Sequence, residues 1–209
     1  MIIGLMGYIG SGKNTVSEFL QNQYGYEQDS FASTLKDACS VIFSWDRELL
    51  EGVTDESRKF RETPDVWWSD KLGKEFTPRY ALQNIGTEIL RHEFHPDIWL
   101  LSLEKRLQNT SKNIVITDTR FPNEVQLIRD LGGKIVYVDN GNPPAWSIVA
   151  KKACQGDTND ILEMHTTYKH IHESEWAWAA VEPDFVIKNT GTLEELNNNV
   201  KITVDLVNK

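Results

Sequence analysis

The chain is short of cysteine, with only Cys39 and Cys154 among its 209 residues. Two cysteines so far apart cannot build the disulfide framework of a small secreted domain, and they suit a reducing compartment. Long hydrophobic runs are also missing. No apolar stretch nears the ~20 residues that cross a bilayer. The opening M-I-I-G-L-M-G has neither the basic n-region nor the cleavage site of a secretory leader. Positive charge is the third shortage: Lys and Arg number 22 against 31 Asp and Glu, a net charge of -9. Binding to duplex DNA or RNA draws much of its affinity from neutralised phosphates, so such a partner is not expected. Small anionic ligands stay open, because they need only a local cluster of cations. Repeats and low-complexity tracts are absent. What remains, 40% apolar and 25% charged, is the composition of a soluble globular protein. The length suits one domain with insertions, whose core needs neither disulfide nor metal.

Apolar runs and helical spacings alternate along the chain. Ile2–Met6 reads as a buried strand. Asn14–Tyr24 is spaced as a helix that Gly25 stops. A second strand is expected near Gln28–Ala32, then a helix from Ser33 or Thr34 through Trp45. Asp55–Thr77 is polar, with Arg58, Lys59, Arg61, Lys71 and Lys74 around Pro64 and Trp67-Trp68, and reads as a surface insertion. Arg79–Glu93 and Ile98–Leu107 are amphipathic helices separated by His95-Pro96-Asp97. Ile114–Thr117 and Ile135–Val138 are strands flanking a helix over Asn123–Leu131. Asn140–Thr167 is a long polar segment and reads as a functional loop. Ile171–Val181 is expected to be helical, Phe185–Ile187 a last strand, and Leu193–Val207 a closing helix capped by Thr192. This alternation predicts an α/β fold with a parallel sheet covered on both faces.

The segment G-Y-I-G-S-G-K-N-T, Gly7 to Thr15, fits G-x-x-x-x-G-K and stands between a strand and a helix, the context a P-loop requires. Its glycines let backbone N–H groups approach phosphate oxygens, and the helix N-terminus adds positive potential. Gly7, Gly10, Ser11, Gly12, Lys13, Asn14 and Thr15 are therefore candidate ATP-binding residues, with Lys13 as the cation at the transferring phosphates. Asn14 stands where Ser or Thr usually follows the lysine, so the motif takes the G-K-x-T form. Thr15 and Asp118 are candidate Mg2+ ligands, through water if need be, for an ion that keeps much of its hydration. Asp118 ends the apolar strand Ile114–Thr117 in the manner of a Walker B carboxylate, and Arg120 follows it at the carboxyl end of a central strand.

These segments together resemble the deoxynucleoside monophosphate kinases of tailed phages. The resemblance is carried by the P-loop, F-A-S-T-L-K-D-A at Phe31–Ala38 and F-R-E-T at Phe60–Thr63. R-Y-A-L-Q-N-I-G-T-E at Arg79–Glu88, T-D-T-R with Glu124, H-I-H-E at His170–Glu173, and N-T-G-T-L-E-E-L at Asn189–Leu196 extend it. In H-I-H-E, His172 stands where the family has a hydroxyl residue. After Val138 the family tends to carry an arginine, whereas here Asp139-Asn140 follow. Lys151, Lys152 and Lys169 are candidates to replace it.

The resemblance implies a P-loop three-layer α/β/α sandwich around a five-stranded parallel sheet, built like a nucleoside monophosphate kinase. Residues 55–77 would be its acceptor-binding insertion and 140–167 its lid. It implies ATP-dependent phosphorylation of deoxynucleoside monophosphates to diphosphates in the cytoplasm, with ATP and Mg2+ required and a homodimer left open. Lys13, Arg120 and Asp118 are the candidate catalytic residues, Arg120 bridging donor and acceptor phosphates. Lys36, Arg61, Trp68, Arg79 and Gln83 are the candidate acceptor residues. A guanidinium fork suits a monophosphate, Trp68 could stack on a base, and Gln83 could bond its edge. A P-loop kinase of another small phosphorylated acceptor, of the phosphomevalonate or dephospho-coenzyme A type, and a nucleotide-binding switch are the competing readings.

Overall fold

The computed structural model describes residues 1–108 and 110–207. In chain order the main elements are β1 (Ile2–Met6), α1 (Lys13–Tyr24), β2 (Glu27–Asp29), α2 (Ser33–Phe43), α3 (Asp55–Glu62), α4 (Val66–Leu72), α5 (Pro78–Gln83), a π-helix (Asn84–Phe94), α6 (Ile98–Leu107), β3 (Ile114–Ile116), α7 (Pro122–Asp130), β4 (Lys134–Asp139), α8 (Ser147–Cys154), α9 (Thr158–Thr166), β5 (Phe185–Lys188) and α10 (Leu193–Val207). The chain divides into two compact units, one of residues 1–30 with 110–209 and one of residues 31–109.

The first unit holds a five-stranded sheet in the order β2-β3-β1-β4-β5. Every pairing is parallel, with Ile3 opposite Val115 in β3 and Leu5 opposite Val136 in β4. Side chains alternate across a strand, and β1 uses both faces. Ile3 and Leu5 join Val16 and Leu20 of α1 and Leu196, Val200 and Val204 of α10 in one core. Gly4 faces the other way, where a Cβ would stand 2.5 Å from Ile128 of α7. The strand is thus covered on both sides, as its unbroken apolar run requires. Gly25 ends α1 with φ +67°, a left-handed turn suited to glycine. Thr192 and Glu195 open α10 with reciprocal bonds, Glu195 N–H to Thr192 Oγ1 at 3.2 Å and Thr192 N–H to Glu195 Oε2 at 2.6 Å.

Three expectations in this unit need correction. The second strand is Glu27–Asp29, not Gln28–Ala32, because Ser30 turns away with its N–H on Asp29 Oδ1 at 2.7 Å. The polar segment over 140–167 is not a loop throughout. It forms α8 and α9, joined through Gly156 at φ +93°, with Asp157 Oδ1 capping the N–H groups of Asn159 and Asp160. These helices share a small core of their own: Ala150, Ala153 and Met164 with Trp176. Ile171–Val181 is not a helix but turns around one 3-10 segment, Glu173–Glu175.

The second unit is helical. Phe43, Trp45, Phe60, Trp68 and Phe76 interlock as an aromatic cluster, and Trp45 Nε1 donates to Asp65 Oδ2 at 2.7 Å. α2 stops at Phe43, short of the expected Trp45, because Ser44 takes a left-handed φ of 57°. The polar stretch 55–77 is mostly helix: Thr54 and Ser57 form a capping box at α3, and Asp65 caps α4. The helix expected over Arg79–Glu93 changes character at Asn84, where the wider π-helix begins. Its Gly86 carbonyl accepts from Trp99 Nε1 at 2.8 Å.

Candidate functional site

The loop between β1 and α1 holds the glycine-rich motif. Gly10 and Gly12 sit at φ +77° and +101°, a region that side chains avoid. At Gly7 a Cβ would meet Ser11 Oγ and the Val138 carbonyl at 2.7 Å, so the loop closes onto the end of β4 only because no side chain is there. Lys13 opens α1 and folds back over the loop. Its Nζ donates to the carbonyls of Gly7 at 2.7 Å and Tyr8 at 3.0 Å. Ser11 Oγ is buried and has no hydrogen-bond partner among the described residues. A cation resting on loop carbonyls, a buried orphan hydroxyl and left-handed glycines fit a polyphosphate, whose oxygens are better acceptors for Lys13 than neutral carbonyls. Asn14 is exposed and Thr15 partly buried on the first turn of α1.

Asp118, Thr119 and Arg120 follow β3 and meet this loop. Together with Gly7, Lys13 and Glu175 they line one small cleft. Arg120 Nη1 donates to Glu175 Oε1 at 2.6 Å and to the Ser174 carbonyl at 3.3 Å. The Arg120 backbone is fixed as well. Glu124, fully buried on the first turn of α7, reaches back and accepts from the N–H of Arg120 at 2.7 Å and of Phe121 at 3.0 Å. Thr119 Oγ1 is a second buried hydroxyl with no partner among the described residues. Burial pushes the Lys13 pKa down to about 8, and the Arg120 charge pushes the same way, while Glu175 and Asp118 oppose them. Glu175 chiefly, then Asp118 and Glu124, hold the Arg120 pKa above its ordinary value against desolvation. The arrangement offers two cations to an anionic chain, with the Asp118 and Glu175 carboxylates acting on both. Among the described residues no three His, Cys, Asp or Glu side chains cluster to hold a metal. Asp118 alone, with phosphate oxygens and water, fits a hydrated Mg2+ better than a dehydrated ion.

Sequence reasoning missed Glu175, and the signal was present. H-E-S-E at His172–Glu175 satisfies H-x-[ST]-E with no substitution, two residues beyond the H-I-H-E chosen for it. In that register His172 Nδ1 lies 2.9 Å from Ser174 Oγ, and Glu175 holds Arg120. Tyr8 was also missed. Its ring packs on Trp146 at 5.3 Å and Trp178 at 4.8 Å, tying the loop to the start of α8. The lysines offered in place of the family's arginine are not in the cleft. Lys151 lies 3.6 Å from Glu182, and Lys152 and Lys169 are exposed.

The acceptor candidates all belong to the helical unit. Lys36, with a side chain 13% exposed, holds Glu51 Oε2 at 2.5 Å. Arg61 Nη1 donates to the Glu51 carbonyl at 3.4 Å. Arg79 pairs through Nε with Glu62, and Gln83 is four residues on, along the same face of α5. Lys36 and Arg61 thus converge on one residue, and the Glu51 carboxyl is held below its ordinary pKa against desolvation, chiefly by the Lys36 charge. Trp68 is engaged in packing: its Nε1 donates to the Phe43 carbonyl at 3.1 Å and its ring meets Phe43 edge-on. Its neighbour Trp67 is the exposed ring of the pair, at 59%.

A P-loop between the first strand and helix of a parallel β2-β3-β1-β4-β5 sheet, with an acid and an arginine after β3, defines the class of P-loop nucleotide-binding proteins. Comparison narrows the class. The family model for deoxynucleotide monophosphate kinase matches residues 50–148. A protein of Acanthamoeba polyphaga mimivirus, described as a deoxynucleotide monophosphate kinase, is 34% identical over 66% of this chain and 74% of its own length. The deoxynucleoside-5'-monophosphate kinase of Escherichia phage T5 is 28% identical over 62% of this chain and 72% of its own. The chain belongs to the deoxynucleotide monophosphate kinase family. Among solved structures, a dephospho-CoA kinase from Campylobacter jejuni aligns over 99% of this chain and 96% of its own, at 15% identity and a TM-score of 0.47. The fold assignment stands on the sheet order and the loop, not on that likeness. No helix among the described residues is long and apolar enough to cross a membrane.

Proposed function

We propose that the chain transfers the γ-phosphoryl group of magnesium-bound ATP to a deoxynucleoside 5'-monophosphate, giving the diphosphate and ADP and so supplying DNA precursors. The observation that carries this reading is the convergence of Lys13, Asp118 and Arg120 on one cleft beside the P-loop. Phosphoryl transfer asks little covalent chemistry of a protein; it needs in-line positioning and cations on the phosphoryl oxygens. Lys13 and the loop amides hold the donor phosphates. Arg120 spans the transferring group, kept in place by Glu175 and Glu124. Asp118 and Thr15 are the residues that would hold a hydrated Mg2+, and the ion would supply positive charge to the phosphate oxygens. Lys36, Arg61 and Arg79 hold the acceptor monophosphate, exchanging carboxylate or carbonyl partners for phosphate oxygens, and Gln83 reads the base edge. Residues 55–77 belong to the acceptor side. Helices α8 and α9, with their separate core, act as a lid that excludes water from the γ-phosphate. The reaction belongs in the cytoplasm, where both nucleotides are available.

The test is a panel of deoxynucleoside and ribonucleoside monophosphates with ATP and Mg2+, read by coupled ADP formation. Diphosphate formed from at least one deoxynucleotide, and dependent on Mg2+, is the expected result. Turnover of ATP that ignores every monophosphate would contradict it.

A further inference from the structure

The loops that follow β4 and β5 both reach the outside of the P-loop. Asn189 Nδ2 donates to the Ser11 carbonyl at 2.9 Å, and Asn140 Nδ2 donates to the Gly10 carbonyl at 3.3 Å. Each asparagine is itself held. The Asn189 N–H donates to the Asp139 carbonyl at 2.6 Å, at the end of the β4–β5 ladder. Asn140 Oδ1 accepts from the Asn142 N–H at 3.1 Å. The absent side chain of Gly12 makes room, since a Cβ there would fall on the Asn189 amide. A similar close approach joins the two loops, where a Cβ on Gly141 would meet Thr190 Cγ2 at 2.9 Å.

We propose that Asn189 and Asn140 are positioning residues for the donor phosphates, a role that rests on the P-loop being the donor site. A trans peptide is planar, with its C=O and N–H pointing in opposite directions. Holding the Ser11 carbonyl from outside therefore turns the Gly12 N–H toward the inside of the loop. The Gly10 carbonyl is held likewise, while the Ser11 N–H on the same peptide is taken by the Tyr8 carbonyl at 3.1 Å, so that unit is pinned at both ends. The two amides also occupy carbonyl dipoles that would otherwise be free to swing toward a polyphosphate and repel it. Asp139-Asn140 follow Val138, in the stretch where the resemblance implies an arginine. In this chain Asn140 braces the loop through a neutral amide instead of adding a cation to the site.

The test uses the full chain and a non-hydrolysable ATP analogue with Mg2+, with affinity measured by calorimetry and a deoxynucleoside monophosphate titrated separately. Asn140→Ala removes an exposed contact and leaves the core untouched. Asn189→Asp keeps the shape and loses the donor, and the third variant is the Asn140→Ala/Asn189→Ala double. One hydrogen bond corresponds to roughly tenfold or less in affinity. The expected result is analogue binding weakened about fivefold by Asn140→Ala and more than tenfold by the double variant, with monophosphate affinity unchanged. Analogue affinity within twofold of wild type in the double variant overturns the proposal. Equal weakening of both nucleotides also overturns it, because that reports general damage. Failure of the wild-type chain to bind the analogue would remove the donor assignment itself, a different outcome from wild-type binding that the variants leave intact.

Discussion

Glu175 holds Arg120 through a 2.6 Å charge-assisted bond at the mouth of the P-loop cleft, and both act on Lys13. Arg120 lowers the Lys13 pKa while Glu175 raises it, so the glutamate keeps two cations usable side by side. Glu175→Gln preserves volume and removes the charge. Turnover should fall about tenfold, in line with a charge-assisted hydrogen bond replaced by a neutral one. Arg120 is 38% exposed, so the cost in stability should stay near ~1 kcal/mol. Steady-state kinetics beside thermal unfolding separates the two effects. Unchanged turnover would remove Glu175 from the site.

Lys13 gives a pH dependence of definite sign. Its pKa in the fold is about 8, against an ordinary 10.5. In the free enzyme the lysine loses its proton as pH rises through about 8, so kcat/KM for ATP should decline there. Glu175→Gln should move that decline to lower pH, since the carboxylate supports the protonated form. Stability runs the other way. Between pH 8 and 10.5 the fold binds fewer protons at this site than the unfolded chain, so this one group adds stability as pH rises through that window. Lys13→Met should flatten the rise, which unfolding measured against pH will show.

The architecture was legible where the pattern of apolar residues is strong. Ile2–Met6, Ile114–Thr117 and Ile135–Val138 read as apolar runs, and they fall on β1, β3 and β4 at the centre of the sheet. Helices α8 and α9 were not legible, because most of their residues face solvent and only Ala150, Ala153 and Met164 are buried. Asp157 was a readable cap, outweighed by the polar composition around it. Over Ile171–Val181 the expected helix does not form, and the tryptophans two residues apart pack in different places, Trp176 in the α8–α9 core and Trp178 on Tyr8. Of the site, Lys13, Asp118 and Arg120 are visible as motif residues. Glu175 shows only in the H-E-S-E register, not the H-I-H-E one, and Asn140 and Asn189 gain their importance from contacts across 130 and 178 residues.

Glu124 tests how Arg120 is presented. It is a buried carboxylate that satisfies two backbone N–H groups. Glu124→Ala leaves both without their partner, at a cost of about 2 kcal/mol. For a chain of this size that lowers Tm by about 4–8 °C. Glu124→Gln keeps an oxygen acceptor and should recover most of the loss. A Tm unchanged in the alanine variant would mean that other groups hold the turn.

The proposed acceptor role of Arg61 and Arg79 can be tested apart from the donor site. Arg61→Ala should raise the KM for the monophosphate at least tenfold and leave the KM for ATP nearly unmoved, because the lost contact concerns one substrate. Arg61→Lys should recover little, since lysine keeps the charge without the fork. Kinetics with each nucleotide varied in turn is the measurement. An effect confined to ATP would place Arg61 on the donor side.

The most direct measurement follows the γ-phosphoryl group itself. ATP labelled at the γ-phosphate is incubated with a deoxynucleoside monophosphate and either wild-type protein or Lys13→Ala, and the products are separated. The wild type should place the label on the β-position of the deoxynucleoside diphosphate. Lys13→Ala should do so about a hundredfold more slowly, the typical effect of removing one electrostatic donor to a transition state. Label appearing only as free phosphate, or equal transfer by the two proteins, would contradict the assignment of this cleft as the site of phosphoryl transfer between nucleotides.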